Sequence, residues 1–206
     1  MDHTIVSRER WQDHWLFLTH FRKSPRTVGA LAPSSRALAR AMRDGLALEE
    51  SPDVRVVELG PGTGAVTGEI ARRLPAEAAC LAIDVDPVFT ARVGARWPRI
   101  ASVCGRAEHL VKIARERDLL PVDHIVSGLP FASLPTSSAH AIVAAIVASL
   151  RAGGTFTTFQ YVHAYGFPSA VTVRQTLTRE MGSSPARTLV LGNLPPALVL
   201  RWRKHR

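Results

Sequence analysis

The stretch "VVELGPGTGAVTGEI", Val56 to Ile70, constrains the fold more than any other. An apolar, β-branched run stops at a glycine turn and a helical pattern begins. "DVRVVEL" suits a strand buried on both faces of a parallel sheet. Beyond the turn, Val66, Ile70 and Leu74 recur at helical spacing. A strand, a glycine turn and a helix in this order present backbone amides and a helix N-terminus to a ligand. The turn is not a P-loop, because no Lys follows Gly64. Its glycines fall at Gly60, Gly62 and Gly64, which is not the Gly-x-Gly-x-x-Gly of a dinucleotide site.

Glu58, just before the turn, narrows the ligand further. A carboxylate there repels phosphate and favours an ammonium or sulfonium group. S-adenosylmethionine, a nucleoside with a cationic amino-acid tail and no phosphate, meets that requirement. A second carboxylate, Asp84, closes the next predicted strand, "AACLAID". At the carboxyl end of a neighbouring strand it can accept hydrogen bonds from ribose hydroxyls. The competing role for Asp84, a helix N-cap, is better filled by Asp86 ahead of Pro87. The competing reading of the whole stretch is a strand end with a tight turn.

Strand and helix patterns alternate along the rest of the chain with short connections. Strands are predicted at "IASVCG", "VDHIVSG" and "TFTTFQYV", and a long apolar helix at "SSAHAIVAAIVASLRAGG" is predicted to stop at Gly153 and Gly154. Two strands around "GNLPP" at the end read as an antiparallel hairpin beside a parallel sheet covered on both faces. The 206 residues suffice for one domain with an appendage. No apolar run is long enough to span a bilayer, and no secretory leader is visible. Cys80 and Cys104 both fall in predicted strands and read as buried free thiols of a reducing cytoplasm. The eight histidines show no metal-site spacing. A net charge of +9 points to a polyanionic partner, either nucleic acid or an anionic membrane, or serves solubility alone.

Residues 1–50 differ in character from 51–206. Trp11, Trp15 and Leu18 share a helical face, with Leu16, Phe17 and Phe21 beside them and Arg8, Arg10, Arg22, Lys23 and Arg26 as flanks. That pattern fits an interfacial amphipathic helix, and also a helix that caps the core. "APSSRALARAM" begins a second helix with Ser34 or Ser35 as N-cap, its N-terminus turned toward a ligand carboxylate.

"VELGPGTGAVT", "AIDVDP" and "IVSGLPF" in this order resemble the class I S-adenosylmethionine-dependent methyltransferases. "SPRTVGALAPSSRALARAM", "SGLPFASLP" and "NLPPALV" resemble, more narrowly, the bacterial phospholipid N-methyltransferases. The resemblance covers nearly the whole chain. It implies a Rossmann-like α/β fold with a mainly parallel seven-stranded sheet, a terminal antiparallel hairpin and an N-terminal helical extension. It implies methyl transfer to phosphatidylethanolamine and its mono- and dimethyl derivatives, with S-adenosylhomocysteine as product. A cytoplasmic enzyme held peripherally on the inner face of the membrane is then expected, with the basic amphipathic segment as its anchor and no nucleic acid partner. The expected cofactor residues are Ser34, Ser35, Glu58, Leu59, Gly60, Pro61, Gly62, Gly64, Asp84, Val85, Arg106, Ala107, Ser127 and Gly128. Arg106 departs from the usual Gly-Asp-Ala pattern and has no side-chain acceptor, though it can stack on adenine while the Ala107 amide serves the ring.

The related ribosomal RNA adenine dimethylases carry Asn-Leu-Pro-Tyr where this chain has Gly128-Leu129-Pro130-Phe131. Gly128 offers no side-chain amide to an adenine amino group, which favours an aliphatic amine; the competing reading is a strand-end turn. Tyr161, His163 and Tyr165 follow a predicted strand into the expected cleft. There they can take up a proton or hold a methylated ammonium by cation–π contact, with Phe131 as a further wall; as surface loop residues they would do neither. An RNA or small-amine methyltransferase and a non-catalytic cofactor- and membrane-binding protein are the other classes that fit.

Overall fold

The computed structural model describes residues 35–49 and 51–205. The aromatic and basic stretch around Trp11, Trp15 and Phe21 lies outside the described residues, as does Ser34.

The first described helix, α1 (Arg36–Arg43), starts where Ser35 Oγ accepts from the Leu38 amide at 3.2 Å, an N-cap on the second of the two serines named from sequence. β1 (Arg55–Leu59) leads through the glycine turn into α2 (Ala65–Ala71), then β2 (Ala79–Asp84), α3 (Pro87–Arg96) and β3 (Ala101–Cys104). α4 (Leu110–Arg115), β4 (Val122–Ser127), α5 (Thr136–Ser149), β5 (Leu150–Tyr161) and α6 (Pro168–Met181) follow. The hairpin of β6 (Ala186–Val190) and β7 (Ala197–Arg203) completes the order. Among the described residues, seven strands form one sheet in the order β3-β2-β1-β4-β5-β7-β6. β1 pairs in parallel with both β2 and β4, and only β7 runs against its neighbours. This is the expected α/β architecture.

Alternate side chains of β1 enter different cores, as a strand covered on both faces requires. Val57 and Leu59 join Phe156, Trp202 and the inner faces of α4, α5 and α6. Val56 joins Leu38, Met42, Ile70 and Val93 from α1, α2 and α3. α1 is thus part of the compact unit that contains the sheet, although it falls within the 1–50 segment set apart by sequence. No helix among the described residues is long and apolar enough to cross a membrane.

Two expectations change. α5 stops at Ser149, and β5 begins at once with the buried Leu150 paired to Val122, several residues before the two glycines. The glycines accommodate an irregularity instead: the register slips between Val122 and His124, and a Cβ on Gly154 would stand 2.9 Å from the Asp123 carbonyl oxygen. Cys80 is buried, but Cys104 is exposed at the end of the edge strand β3.

Candidate active site

The strand order reverses across β1 and β4, and in such sheets the carboxyl edge at the reversal forms the binding crevice. Backbone bonds fix that edge past the strand ends. The Gly60 amide donates to the Ile83 carbonyl (2.9 Å), the Gly105 amide to Asp84 (2.8 Å) and the Gly128 amide to Leu59 (2.9 Å). The carboxyl ends of β1 to β4 are therefore one rigid rim.

Glu58 is buried in this rim, and burial pushes its carboxyl up to about 7. The Thr67 hydroxyl and amide pull in the opposite direction, and the neighbouring Asp84 pushes further up. The Thr67 hydroxyl faces the carboxyl without closing a bond of good geometry, and both Glu58 Oε2 and Thr67 Oγ1 end buried without a hydrogen-bond partner. An orphaned buried carboxylate oxygen is costly unless a ligand completes it.

Asp84 accepts one backbone bond on each oxygen, from Gly62 N at 3.1 Å and Asp86 N at 2.9 Å. Each oxygen retains acceptor capacity for a further donor. Burial raises its pKa, against the two amides that stabilise the anion. Asp86 caps α3 through the Val88 amide (2.8 Å) with Pro87 at the first helical position, the division of labour read from sequence.

The glycines divide their tasks. A side chain on Gly62 would meet nothing within 4 Å, so this residue faces open space beside Asp84. Gly64 has φ +82° and packs against Trp97, whose ring atoms lie 2.3 Å from where a Cβ would stand. Gly68, one turn on, receives the same indole. Trp97 was not legible as part of the site; its signal is the Gly64-x-x-x-Gly68 spacing. Gly128 also has a packing reason, because a Cβ there would stand 2.7 Å from the Gly60 carbonyl oxygen. The absence of a side chain at 128 is imposed by the cofactor turn and is not by itself a record of substrate.

Leu59, Pro61, Ala107 and Ser127 are buried along the same rim, and Val85 is partly buried. Ser127 Oγ accepts from the Leu129 amide at 3.2 Å. Arg106 ion-pairs with Glu108. That brings a carboxylate two residues past the position where the methyltransferase pattern has one. Ser35 donates its amide to Asn193 Oδ1 at 3.0 Å, which ties the N-terminus of α1 to the β6–β7 loop.

The four residues expected around the amine do not form one pocket. Phe131 is buried in the core, edge-on to Phe156 with centroids 6.0 Å apart. Tyr161 and His163 stack at 5.7 Å and 11° on the α1 and α2 side, beside Phe159. Burial raises the Tyr161 phenol, so it remains protonated at neutral pH. Tyr165 packs on the opposite core, where the Arg174 guanidinium lies 3.7 Å from its ring centroid and Arg187 5.9 Å. The cation–π place foreseen for a methylated ammonium is taken there by arginine. Tyr165, Arg174 and Arg187 line a cavity of about 550 Å³ between α6 and β6. Among the described residues no group of His, Cys, Asp and Glu is arranged to hold a metal ion.

Orphaned acceptors, an open glycine and a rigid carboxyl edge define a Rossmann-like site that fits a nucleoside bearing hydroxyl donors and a cationic tail. A family described as "Methyltransferase domain" matches residues 56–154. The ornithine lipid N-methyltransferase of Singulisphaera acidiphila is 32% identical over 148 residues, 70% of this chain and 76% of that protein. The chain belongs to the class I S-adenosylmethionine-dependent methyltransferases. Solved structures share the fold. The N-methyltransferase NodS of Bradyrhizobium japonicum, in complex with S-adenosylhomocysteine, has a TM-score of 0.62 at 19% identity, covering 81% of this chain and 86% of its own. The Burkholderia thailandensis 1,6-didemethyltoxoflavin-N1-methyltransferase scores 0.64 at 19% identity, covering 95% and 90%. The methyl donor is S-adenosylmethionine and the product S-adenosylhomocysteine.

Proposed function

We propose that the protein transfers methyl groups to the aliphatic amine of a membrane lipid, with phosphatidylethanolamine and its mono- and dimethyl derivatives as substrates. The observation that carries this reading is the 32% identity to an ornithine lipid N-methyltransferase over most of both chains. Ornithine lipid is the second reading, on the same observation. Both substrates present an aliphatic amine from a bilayer surface.

S-adenosylmethionine supplies, when bound, a sulfonium methyl group open to nucleophilic attack. Glu58 would hold the cationic tail, Asp84 the ribose hydroxyls, the Gly60–Gly62 turn the backbone face of the ligand and the Ala107 amide the adenine ring. These residues keep the donor fixed, so orientation of the amine provides most of the acceleration. The attacking amine must first lose a proton. Tyr161, protonated at neutral pH, suits the wall of an amine site better than the role of base, and His163, stacked on it, is exposed.

The test offers methyl-labelled S-adenosylmethionine with vesicles of phosphatidylethanolamine, vesicles containing ornithine lipid, or undermethylated ribosomal RNA. Label in extracted phosphatidylethanolamine is the expected result. Label in ornithine lipid alone selects the second reading, and label in RNA alone removes both.

A further inference from the structure

Among the described residues, the exposed large hydrophobic side chains all lie on one edge of the molecule. They are Val88, Val162, Phe167, Leu189, Leu191 and Leu194. Val88 opens α3 just past the carboxyl end of β2. Val162 and Phe167 occupy the connection leaving the carboxyl end of β5. β7 runs antiparallel to β5 with Ala197 beside Tyr161, so the β6–β7 loop reaches the same edge. The Val162 amide donates to the Pro196 carbonyl at 2.9 Å, which joins the β5–α6 connection and the hairpin tip into one surface. Leu191 is 73% exposed and Leu194 83%. Scattered exposed apolar residues need no explanation, but their confinement to one edge does.

Two arginines stand beside this surface. Arg174 donates to the Tyr165 carbonyl at 2.7 Å, and the Arg187 guanidinium lies 5.9 Å from the Tyr165 ring centroid. Arg187 lies two residues before Leu189 on β6, hence on the same strand face, about 7 Å back at the usual strand rise. Interfacial segments bury their apolar face about 5–10 Å into the headgroup and acyl boundary. When Leu189, Leu191 and Leu194 reach that boundary, the Arg187 guanidinium is level with lipid phosphates.

We infer that the carboxyl edge docks on an anionic bilayer through the β6–β7 hairpin tip and the β5–α6 connection, with Arg187 set at phosphate depth. The crevice at β1 and β4 opens on the same edge, so a docked protein receives a lipid amine without the lipid leaving the bilayer. This use of the surface rests on the lipid-amine reading above; the docking itself does not. The described core thus carries a membrane contact of its own.

The full chain is mixed with vesicles of phosphatidylglycerol and phosphatidylethanolamine, and with neutral phosphatidylcholine vesicles as the contrast. The double variant Leu191→Asp, Leu194→Asp is expected to sediment with anionic vesicles at least about tenfold more weakly, since one leucine withdrawn from hydrocarbon is worth about that factor. Arg187→Glu should weaken anionic binding and leave the residual binding to neutral vesicles unchanged. S-adenosylmethionine affinity should be that of the wild type in both variants, as should methylation of a short-chain amine lipid dispersed as monomers. A bimane label at Leu194→Cys in a Cys104→Ser background should shift to the blue with anionic vesicles, and one at Glu116→Cys, at the opposite edge, should not. Wild-type vesicle binding by the double variant overturns the inference. So does a label shift that depends on protein concentration without vesicles, which would make a second copy the occupant. A fall in melting temperature with no change in vesicle binding overturns it too, because the leucines would then be covered within the chain. Vesicle binding and a label shift without methyl transfer to any lipid uphold docking and remove the substrate reading.

Discussion

Above pH 7 the ligand-free protein holds a buried anionic oxygen at Glu58 with no hydrogen-bond partner. The gap between its ordinary value of 4.5 and about 7 corresponds to about 3 kcal/mol. An acid raised in the folded state favours folding while it stays protonated there. Stability therefore falls as pH rises from about 4.5 to about 7 and is level above. Glu58→Gln should accordingly raise the melting temperature of the ligand-free protein at pH 8, with little effect at pH 4.5, while weakening S-adenosylmethionine binding at pH 8. In the wild type, affinity should increase from pH 6 to 8, because a cationic tail needs the ionised carboxylate; calorimetric titration across that range reads it. Asp84→Ala should weaken binding by about 1–3 kcal/mol with the fold intact, and wild-type affinity in that variant would place the nucleoside elsewhere. The places of Glu58 and Asp84 on the rim and the cap at Asp86 were legible because they follow from position relative to a strand end. Gly128, Phe131 and Tyr165 were not. Their partners, the Gly60 carbonyl, Phe156 and Arg174, are remote in sequence, and no local pattern says which neighbour has filled a face.

At the scale of elements, the sheet order and the hairpin were readable because buried parallel strands leave continuous apolar runs. The α5–β5 boundary was not. "VASLRAGG" carries helical signals up to the glycines, yet pairing Leu150 with Val122 buries a leucine in the main core, and that tertiary gain overrides the local stop signal. The link from α1 to the hairpin was also hidden, since Asn193 and Ser35 are 158 residues apart. Asn193 is buried and also donates Nδ2–H to the Pro195 carbonyl at 2.7 Å. Asn193→Ala should destabilise by about 1–3 kcal/mol in urea unfolding, the cost of leaving buried partners unpaired. Trp97→Ala should cost about 3 kcal/mol or more by emptying the space over Gly64 and Gly68. It should also weaken cofactor binding, because the turn loses its backing; unchanged affinity would separate the indole from the site.

Across the whole molecule, reaction and attachment share one edge. Methyl transfer to vesicle lipid should rise with pH above neutrality as the amine loses its proton, until another group limits it. Transfer should also fall with salt, because attraction between a chain of net charge +9 and an anionic bilayer is screened. A monomeric amine substrate under the same conditions should retain the pH dependence and lose the salt dependence. Equal salt sensitivity for both substrates would mean that charge acts at the crevice itself and not at the surface.

The reversed course of β7 has a practical consequence for handling the protein. β7 starts beside Tyr161 at the reactive edge and runs back so that Lys204 pairs with Gly153 and Gly154 at the far one. A linker or sensor tether attached after His205 therefore leaves from the side turned away from the crevice. Protein immobilised through that end should present its lipid-facing edge to the solution and capture anionic vesicles from flow, whereas protein coupled through a cysteine in the 191–194 turn should not.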